Sequence, residues 1–393
     1  MSDNTKKESY DALGVSATKD EVHEVIDNMD AGLYPGAFCK ILPDTLTNDD
    51  EYCLVMHADG AGTKSTLAYL AWKETGDPKW FRGIATDSLI MNLDDMICIG
   101  ATNGFILSNT IGRNAHRISG AIIKEIVNGY MEDIADLNKL GIQIEMAGGE
   151  TADVGDLVQT VIVDSTLTVR MKRADVIDCN NVTAGDVIIG FSSTGKATYE
   201  EKENSGIGSN GLTAARHEVL SKYYAEKYPE SFSPTIPSEN VFRGKYKLED
   251  KLNEAMTVGE ALLSPTRTYA PIIKKILDTT DRQNIHGIVH CTGGGLQKCN
   301  HFGNNITYIK DNLFETPDLF KLIQNLNYMK LKEMYKVFNM GQLLELYCPK
   351  ECAQNIIEIS NQFGVEAKIV GHCEENPEGN KTIITCSEGT FEY

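Results

Sequence analysis

Short apolar segments that end at glycine- or acid-containing loops recur along this chain and alternate with amphipathic helical segments. The apolar segments lie at 52–57, 142–147 and 187–191, and apolar residues recur at helical spacing within 84–99 and 118–140. A short apolar run before a glycine is typical of a buried strand that ends in a loop. The alternation therefore predicts an α/β (α+β layered) fold, in which chemistry gathers at the ends of strands.

A polar, turn-prone stretch from Asp175 to Asp186 divides the chain into two halves. With 393 residues, 41% of them hydrophobic, the chain is long enough to bury two cores. We therefore predict an N-terminal α/β domain over residues 1–180 and a C-terminal α/β domain over residues 181–393.

Further elements are predicted on both sides of this boundary. They are a short helix around Glu21 to Met29, a strand at 157–169, helices near 211–224 and 265–278, a strand at 285–291 and a C-terminal strand–helix–strand unit. Residues 225–262 contain three prolines, which indicates an irregular excursion on the surface.

The charge balance limits which partners the protein can bind. Fifty-six acidic against 37 basic residues give a net charge of −19, which repels nucleic acid and anionic membranes. A phosphate ligand must then be held locally, by glycine-rich backbone, a few Lys or Arg, or a divalent metal. We expect a cytoplasmic protein without nucleic-acid or membrane partners, because no apolar run reaches signal-peptide or membrane-span length.

The ten cysteines are scattered singly through the sequence, and the closest pair lacks the spacing of a zinc knuckle or a redox Cys-x-x-Cys. We expect reduced thiols that pack as small apolar groups.

The first candidate site is the loop that follows the segment 52–57. Asp59, Gly60, Gly62, Thr63 and Lys64 share this loop. Glycines let backbone N–H groups approach a phosphate, and a lysine adds positive charge. The spacing is not that of a Walker A loop, and an ordinary acidic turn remains an alternative.

The second candidate is the acidic part of the helix at 84–99. Asp87 and Asp94 are seven residues apart and Asn92 and Asp95 are three apart, so each pair shares a helix face. Carboxylates in an otherwise apolar helix are costly to bury unless a metal or another partner compensates them, and Mg²⁺ prefers oxygen ligands. A solvated outer face is the alternative.

Two further glycine-rich segments could meet phosphate or metal. In the third candidate, Gly149, Glu150 and Thr151 follow the segment 142–147, again at an expected strand end. In the fourth, Ser209 and Asn210 lie in a Gly/Ser loop before a helix, where a phosphate could bind. The alternative is that the glycines of this fourth segment belong to a flexible linker.

The fifth candidate is His290, which ends a predicted strand and precedes a Thr-Gly-Gly-Gly turn. A histidine there can polarise or protonate a substrate, or serve as a hydrogen-bond donor in the core. Taken alone, the residues predict an α/β enzyme that uses Mg²⁺ and a nucleotide.

Seven segments, taken in order, resemble the signature of the aminoimidazole ribonucleotide synthetase family, also called phosphoribosylformylglycinamidine cyclo-ligase. The resemblance spans roughly residues 50 to 375 and looks like a divergent branch. Its segments are HADGAGTKS, NLDDMICIGA, AGGETAD, SGIGSNGLT, SPTRTY, HGIVHCTGGG and EMYKVFNMG.

The resemblance implies two α/β domains that dimerise through their N-terminal sheets, with ATP and substrate in clefts at sheet ends. It implies that ATP phosphorylates the formyl oxygen of formylglycinamidine ribonucleotide, after which a nearby nitrogen closes the imidazole ring. The products are aminoimidazole ribonucleotide, ADP and phosphate, in purine biosynthesis.

The resemblance also implies roles for individual residues. Asp59 and Asp95 would hold Mg-ATP, with Asp94 and Glu150 as supporting metal ligands. Lys64 would face phosphate, and His290 would contact the reacting oxygens, so both are expected to be catalytic. The other positions expected to bind nucleotide or substrate are Gly60, Gly62, Thr63, Gly149, Thr151, Ser209 and Asn210.

Some positions depart from the family pattern. Gly208 stands where the family commonly has a histidine near the substrate, and Ser264 stands where a glutamate is usual. Other ATP-using members of the superfamily are therefore alternatives, namely selenophosphate synthetase, thiamin phosphate kinase and the hydrogenase maturation protein. A non-catalytic nucleotide-binding scaffold is an alternative of a different class.

Overall fold

The strands of the protein form two sheets, which the computed structural model describes over residues 9–17, 25 and 29–393. The N-terminal sheet has the spatial order β1-β2-β5-β3-β4. Its strands are β1 (Leu42–Pro43), β2 (Tyr52–Gly60), β3 (Phe105–Arg113), β4 (Ile144–Asp153) and β5 (Val161–Lys172).

The C-terminal sheet has seven strands in the order β12-β11-β8-β10-β6-β9-β7. They are β6 (Val187–Ser192), β7 (Gly287–His290), β8 (Ile306–Lys310), β9 (Gln342–Cys348), β10 (Ala367–Glu375), β11 (Lys381–Cys386) and β12 (Gly389–Glu392). Every residue of β6, β7 and β9 is buried, so the centre of this sheet lies inside the protein.

Ten helices are described, and three of them belong to the N-terminal half. These three are α1 (Lys64–Thr75), α2 (Arg82–Ile97) and α3 (Gly120–Lys139). The others are α4 (Leu212–Val219), α5 (Lys222–Lys227), α6 (Val258–Leu262), α7 (Ala270–Thr279), α8 (Asp318–Leu326), α9 (Leu331–Val337) and α10 (Lys350–Gln362).

The two long helices predicted in the first half are confirmed within two residues at each end. Helix α2 packs against β2 and β5 of the N-terminal sheet and also contacts β7 and α7 of the second half. Thirteen of its 16 residues are buried, including Asp87, Asn92, Asp94 and Asp95. Its acidic residues therefore lie between the two halves rather than on a solvated face, which removes that alternative.

Two predicted loops are strand in the structure. Strand β2 continues through Asp59 to Gly60, which pairs with Asp164 of β5. Strand β4 continues through 148–151, because its parallel pairing with β3 resumes after a register shift and extends to Asp153. Glycines had indicated loops at both places, but here they leave room for side chains of the neighbouring strands.

The segment between the sheets, 173–186, contains two short 3₁₀ turns, at Arg173–Asp175 and Cys179–Asn181. The five strands up to Lys172 and the seven from Val187 onward lie on either side of it. We keep the domain division at residue 180 as a proposal.

The remaining elements differ more from the prediction: the helix expected near 211–224 is divided into α4 and α5, α7 begins at Ala270, and β3 and α1 had not been predicted. Residues 225–262 hold only short helices and turns among the described residues, as predicted. The helix expected at 21–29 falls, apart from Val25 and Met29, outside the described residues. All ten cysteines are free thiols, and eight of them are buried, which confirms the expected packing role. In the part of the chain that the structure describes, no helix has the length and apolarity needed to cross a membrane.

Candidate active site

Asp95 of α2 contacts two histidines from different parts of the chain. Its Oδ1 lies 2.7 Å from Nδ1 of His290, and its Oδ2 lies 3.4 Å from Nε2 of His57. The other ring nitrogen of His57 lies 3.0 Å from Oδ1 of Asn92. Burial alone would raise the pKa of Asp95, but the hydrogen bond and charge of His290, with Lys298 and His57, bring it below its ordinary value.

The two histidines differ in exposure. The side chain of His57 is 25% exposed, whereas His290 is fully buried and its Nε2 has no hydrogen-bond partner within the described ranges 9–17, 25 and 29–393. His57 therefore lies on the solvent side of Asp95 and His290 on the inner side. A direct contact of His290 with a substrate stays a prediction, and it requires the ligand to reach this buried nitrogen.

Asp59 lies on the same face of the N-terminal sheet as His57, because the two residues are two positions apart on β2. Its Oδ1 accepts a hydrogen bond from the Gly60 N–H at 2.6 Å. Burial raises the pKa of Asp59, and the negative charge of Asp95 raises it further.

A second carboxylate, Asp164, lies on β5 directly opposite Gly60. A Cβ atom at Gly60 would come within 1.8 Å of its Oδ1, so only glycine leaves room for this side chain. Burial and the charge of Asp59 raise the pKa of Asp164. Asp164 falls in the row of Gly60, so its side chain lies on the opposite face of the sheet from Asp59 and does not share a ligand position with it. Asp59 and Asp95 repel one another, and a cation bound at Asp59 would relieve that repulsion.

This donor set fits Mg²⁺ held jointly by protein and ligand. Mg²⁺ keeps several waters and commonly binds one or two carboxylates together with substrate phosphates. Among the described residues, no group of three or more His, Cys, Asp or Glu is placed to hold a metal ion. The four carboxylates expected from the sequence thus do not form one metal cage, whereas Asp59 can supply a ligand.

Asp94 is a correction to the sequence analysis, because its oxygens already bind the chain. Oδ1 accepts from the Thr268 hydroxyl and Oδ2 from the Tyr269 N–H, each at 2.7 Å. The residue is fully buried, and burial raises its pKa to about 7. Asp94 anchors the start of α7 rather than a metal ion.

Lys64 also departs from its expected role at a phosphate. Its ammonium donates to Asp87 Oδ1 at 2.8 Å and to the Gly208 carbonyl at 3.0 Å, and it also donates to the Ser264 carbonyl. The residue is fully buried. Because an ammonium has three N–H donors, all of them are used inside the protein. The structure therefore does not place Lys64 where a phosphate could reach it.

The third sequence candidate does not join the others. The register places Asp59, Ser165, Asn109 and Gly149 in one row across four strands. Three strand spacings amount to about 14 Å, which separates Gly149 from Asp59. Glu150 falls in the next row, so its side chain lies on the opposite face of the sheet from Asp59. Within one subunit, Glu150 and Thr151 are exposed and distant from Asp95.

Three other segments do converge near Asp59. Ser209 Oγ donates to the Ala61 carbonyl at 3.2 Å, and the hydroxyls of Thr63 and Thr213 lie 2.9 Å apart. Asn210 faces the Thr-Gly-Gly-Gly turn, because a Cβ atom on Gly293 would lie 3.8 Å from its Nδ2. The segments 59–64, 205–211 and 292–295 therefore meet. Gly62, with a positive φ of 55°, and Thr63 are exposed at this junction.

Sequence reasoning missed three residues of this region, His57, Asp164 and Lys298. His57 is the first residue of the HADGAGTKS segment and Lys298 follows the Thr-Gly-Gly-Gly turn, so a titratable or charged residue close to a glycine-rich turn was the available signal. Asp164 lies in an alternating strand and carries no such signal.

A cleft of about 700 Å³ lies elsewhere, between the loop after β6 and the start of α8. Its lining includes Ser192, Asn204 and Lys368 but not Asp59, Asp95 or His290. We place the chemistry at the convergent loops, because the titratable groups gather there.

Sequence profiles of two domains match the chain. AIR synthase related protein, N-terminal domain, matches residues 30–170, and AIR synthase related protein, C-terminal domain, matches residues 183–383. The chain belongs to the AIR synthase family. This confirms the family predicted from the seven segments and the α/β fold class.

Relatives of this AIR synthase family member carry the name expected from the resemblance. The phosphoribosylformylglycinamidine cyclo-ligase of Methanococcus vannielii is 33% identical over 328 residues, which are 84% of this chain and 80% of that protein. The enzyme of the same name from Methanocaldococcus jannaschii is 31% identical over 336 residues, 85% of this chain and 82% of that protein.

Solved structures share the fold of this AIR synthase family member at low identity. T. maritima PurL complexed with ADP matches at a TM-score of 0.54 and 13% identity, over 98% of this chain and 49% of PurL. This chain therefore spans about half the length of PurL. AaThiL complexed with AMPPCP and TMP matches at a TM-score of 0.53 and 14% identity, over 92% and 91% of the two chains. A HypE–HypF complex matches at 0.54 and 13%, over 96% and 98%.

Proposed function

We propose that this protein catalyses the ATP-dependent ring closure of formylglycinamidine ribonucleotide to aminoimidazole ribonucleotide, in de novo purine biosynthesis. One observation carries the proposal: Asp95 contacts His57, and the charges of both act on Asp59, next to three glycine-rich segments that converge. They do so in a chain that is 33% identical to a cyclo-ligase over 84% of its length.

The reaction has two steps with a balanced exchange of groups. The γ-phosphoryl group of ATP moves to the formyl oxygen of the substrate, and ADP leaves. A nitrogen of the same substrate then attacks the formyl carbon, the five-membered ring closes, and phosphate leaves. Phosphorylation turns a poor leaving oxygen into a good one, which is why ATP is consumed.

Each group of this chain has a distinct part in the reaction. Asp59 would bind Mg²⁺ together with the ATP phosphates, and the metal would neutralise phosphate charge. Asp95 and Asn92 contact both ring nitrogens of His57, so this ring would shape the exposed side of the site rather than donate to the formyl oxygen. The exposed backbone at Gly62 and Thr63 and the side chains of Ser209 and Asn210 would surround the phosphates.

We also propose a homodimer in which the outer faces of two N-terminal sheets pack together. Met56, Ile106 and Ile162 lie on this face and are 66%, 53% and 40% exposed. Exposed apolar residues that share one face of a sheet are suited to an interaction surface. Ile106→Arg should convert the protein from dimer to monomer in sedimentation, whereas Met131→Arg, at an exposed position of α3, should not. A wild-type monomer would contradict this arrangement.

We place the reaction in the cytoplasm, because unpaired cysteine thiols persist in reducing compartments. The alternative function is another ATP-using reaction of the superfamily. It is favoured by the likeness of the fold to ThiL and HypE, although identities of 13–14% support the fold alone.

The test is product formation by purified protein with Mg²⁺, ATP and formylglycinamidine ribonucleotide. We expect ADP and aminoimidazole ribonucleotide in equal amounts, the latter detected through its diazotisable amine. ADP release without the amine would assign the protein to another ATP-using reaction. ATP binding without turnover would identify a scaffold.

A further inference from the structure

Lys298 lies beside the proposed reaction site, in the 3₁₀ helix that follows the Thr-Gly-Gly-Gly turn. Its ammonium donates to the Thr292 hydroxyl at 2.7 Å and lies 4.8 Å from the centre of the Phe38 ring. The Phe38 ring is in turn stacked on Phe302, with centroids 5.1 Å apart. These contacts fix the position of the lysine head group on the site side of the turn.

The ammonium keeps hydrogen-bonding capacity in this position. It has three N–H donors, and among the described residues its one hydrogen bond is with Thr292. Lys298 is half-buried, so its head group can be reached from the site. Lys64 offers the opposite case, because its three donors are used and it is sealed inside the protein.

The charge of Lys298 acts on the carboxylates of the site. It lowers the pKa of Asp59 and of Asp95, although burial acts more strongly and in the opposite direction on both. The chain carries a net charge of −19, so an anionic ligand that enters this region needs a local cation.

The surrounding groups are suited to an anion. Asn210 lies next to Gly293, one residue beyond Thr292, and its Oδ1 is buried without a hydrogen-bond partner. Turning this amide would present its NH₂ group instead, since the oxygen and nitrogen are nearly equivalent in shape. The Thr292 hydroxyl, the Lys298 ammonium and the Asn210 amide thus lie around one turn.

We propose that Lys298 binds a phosphate group of a ligand in the reaction site, and so performs the task that the sequence assigned to Lys64. The inference rests on the proposed function for the identity of the ligands. Two phosphates have the required chemistry, the polyphosphate of ATP and the phosphate ester of the ribonucleotide substrate.

The experiment compares Lys298→Met with Lys298→Arg and with the control Lys350→Met, which removes an exposed lysine at the start of α10. Calorimetric titration measures the affinity of each variant for AMPPCP with Mg²⁺ and, separately, for formylglycinamidine ribonucleotide without nucleotide. Thermal unfolding reports stability. Lys298→Met should weaken one of the two affinities by about tenfold or more, the loss of one charge-assisted hydrogen bond.

The two control variants should bind both ligands nearly as the wild type does. Lys298→Arg should stay within about threefold of the wild type, since it keeps the charge, and Lys350→Met should change neither affinity. Weaker AMPPCP binding assigns Lys298 to the nucleotide, and weaker substrate binding assigns it to the ribose phosphate. The unfolding temperature should not change.

Unchanged affinities for both ligands in Lys298→Met would overturn the inference. So would a fall in unfolding temperature that accompanies the loss of binding, because it would identify a structural lysine. Neither affinity requires ring closure. A wild-type protein that forms no aminoimidazole ribonucleotide would therefore contradict the proposed function, while the AMPPCP titration still decides the role of Lys298.

Discussion

Two buried acid–base contacts lie where the halves of this protein meet, and they differ in what surrounds them. Lys64 and Asp87 are both fully buried, and Asp87 Oδ1 also accepts from the N–H and hydroxyl of Thr266 at 2.8 and 2.7 Å. Asp95 and His290 form the second contact, but there the carboxylate also meets His57, which is partly exposed.

The difference indicates that the Lys64–Asp87 contact stabilises the fold, whereas the Asp95 contacts belong to the reaction site. Burial lowers the pKa of Lys64 and raises that of Asp87, and their mutual attraction offsets this cost without any opening to a ligand. Asp95 is instead connected through His57 to the side where Asp59 and the convergent loops lie. A charged pair that no ligand can reach only holds segments of the chain together. A carboxylate that also contacts a partly exposed residue, as Asp95 contacts His57, can influence a bound substrate.

The largest expected effect is on stability, at the sealed contact. Lys64→Met would leave the Asp87 carboxylate buried without its cation and should lower the free energy of unfolding by about 3–5 kcal/mol. Urea unfolding at pH 7 measures this value.

A second substitution provides the control. Adding Asp87→Asn to Lys64→Met removes the unpaired charge and should restore part of the lost stability. If Lys64→Met is as stable as the wild type but no longer binds ATP, Lys64 is a phosphate ligand. The distinction between the two contacts would then be wrong.

The next effect is on activity, at the open contact. Asp95→Asn keeps an oxygen that can accept from His290 but loses the charge that orients both histidines, so kcat should fall by about 10²–10³. The free energy of unfolding should change by only about 1 kcal/mol. Steady-state rates together with urea unfolding separate the two effects, and a stability loss larger than that of Lys64→Met would reverse our assignment.

The smallest effect concerns Asp133 on α3, a half-buried residue whose carboxylate has no lysine or histidine partner among the described residues. Burial raises its pKa to about 7, partly offset by Thr86, and its Oδ2 has no hydrogen-bond partner. An unfolded Asp titrates near 3.9, so between about pH 4 and 7 the folded state binds the extra proton and stability falls as pH rises.

Asp133→Asn should remove this contribution and raise the free energy of unfolding at pH 8 by on the order of 1 kcal/mol relative to the wild type. At pH 4 the two proteins should be alike. Urea unfolding at both pH values checks this, and parallel pH profiles for the two proteins would contradict it.

The sequence predicted the helices better than the strand ends, and the reason is physical. Apolar spacing within α2 and α3 is a local signal that spans several turns, so the helix limits were found within two residues. The glycines of β2 and β4 looked like loop residues. Their real role is to accommodate Asp164 and Asn109 on neighbouring strands, which requires knowledge of the pairing.

The site was partly predictable for a similar reason. Asp59 and Asp95 stand at positions that match the family signature, and the fold places both near His57. Lys64 follows a glycine-containing loop and was therefore expected at a phosphate, but the acceptors of its hydrogen bonds lie 23, 144 and 200 residues away in the chain. Lys298 belongs to no motif, and only its distance to Thr292 shows that it points to the site.

The measurement that tests the central claim most directly is the rate of aminoimidazole ribonucleotide formation by Asp59→Asn. Asp59 is half-buried and its one described side-chain hydrogen bond is with the adjacent Gly60 N–H, so the variant should fold normally. We predict a loss of about 10²–10³ in kcat with an unchanged unfolding temperature. Wild-type activity in this variant would contradict the placement of the reaction at these convergent loops.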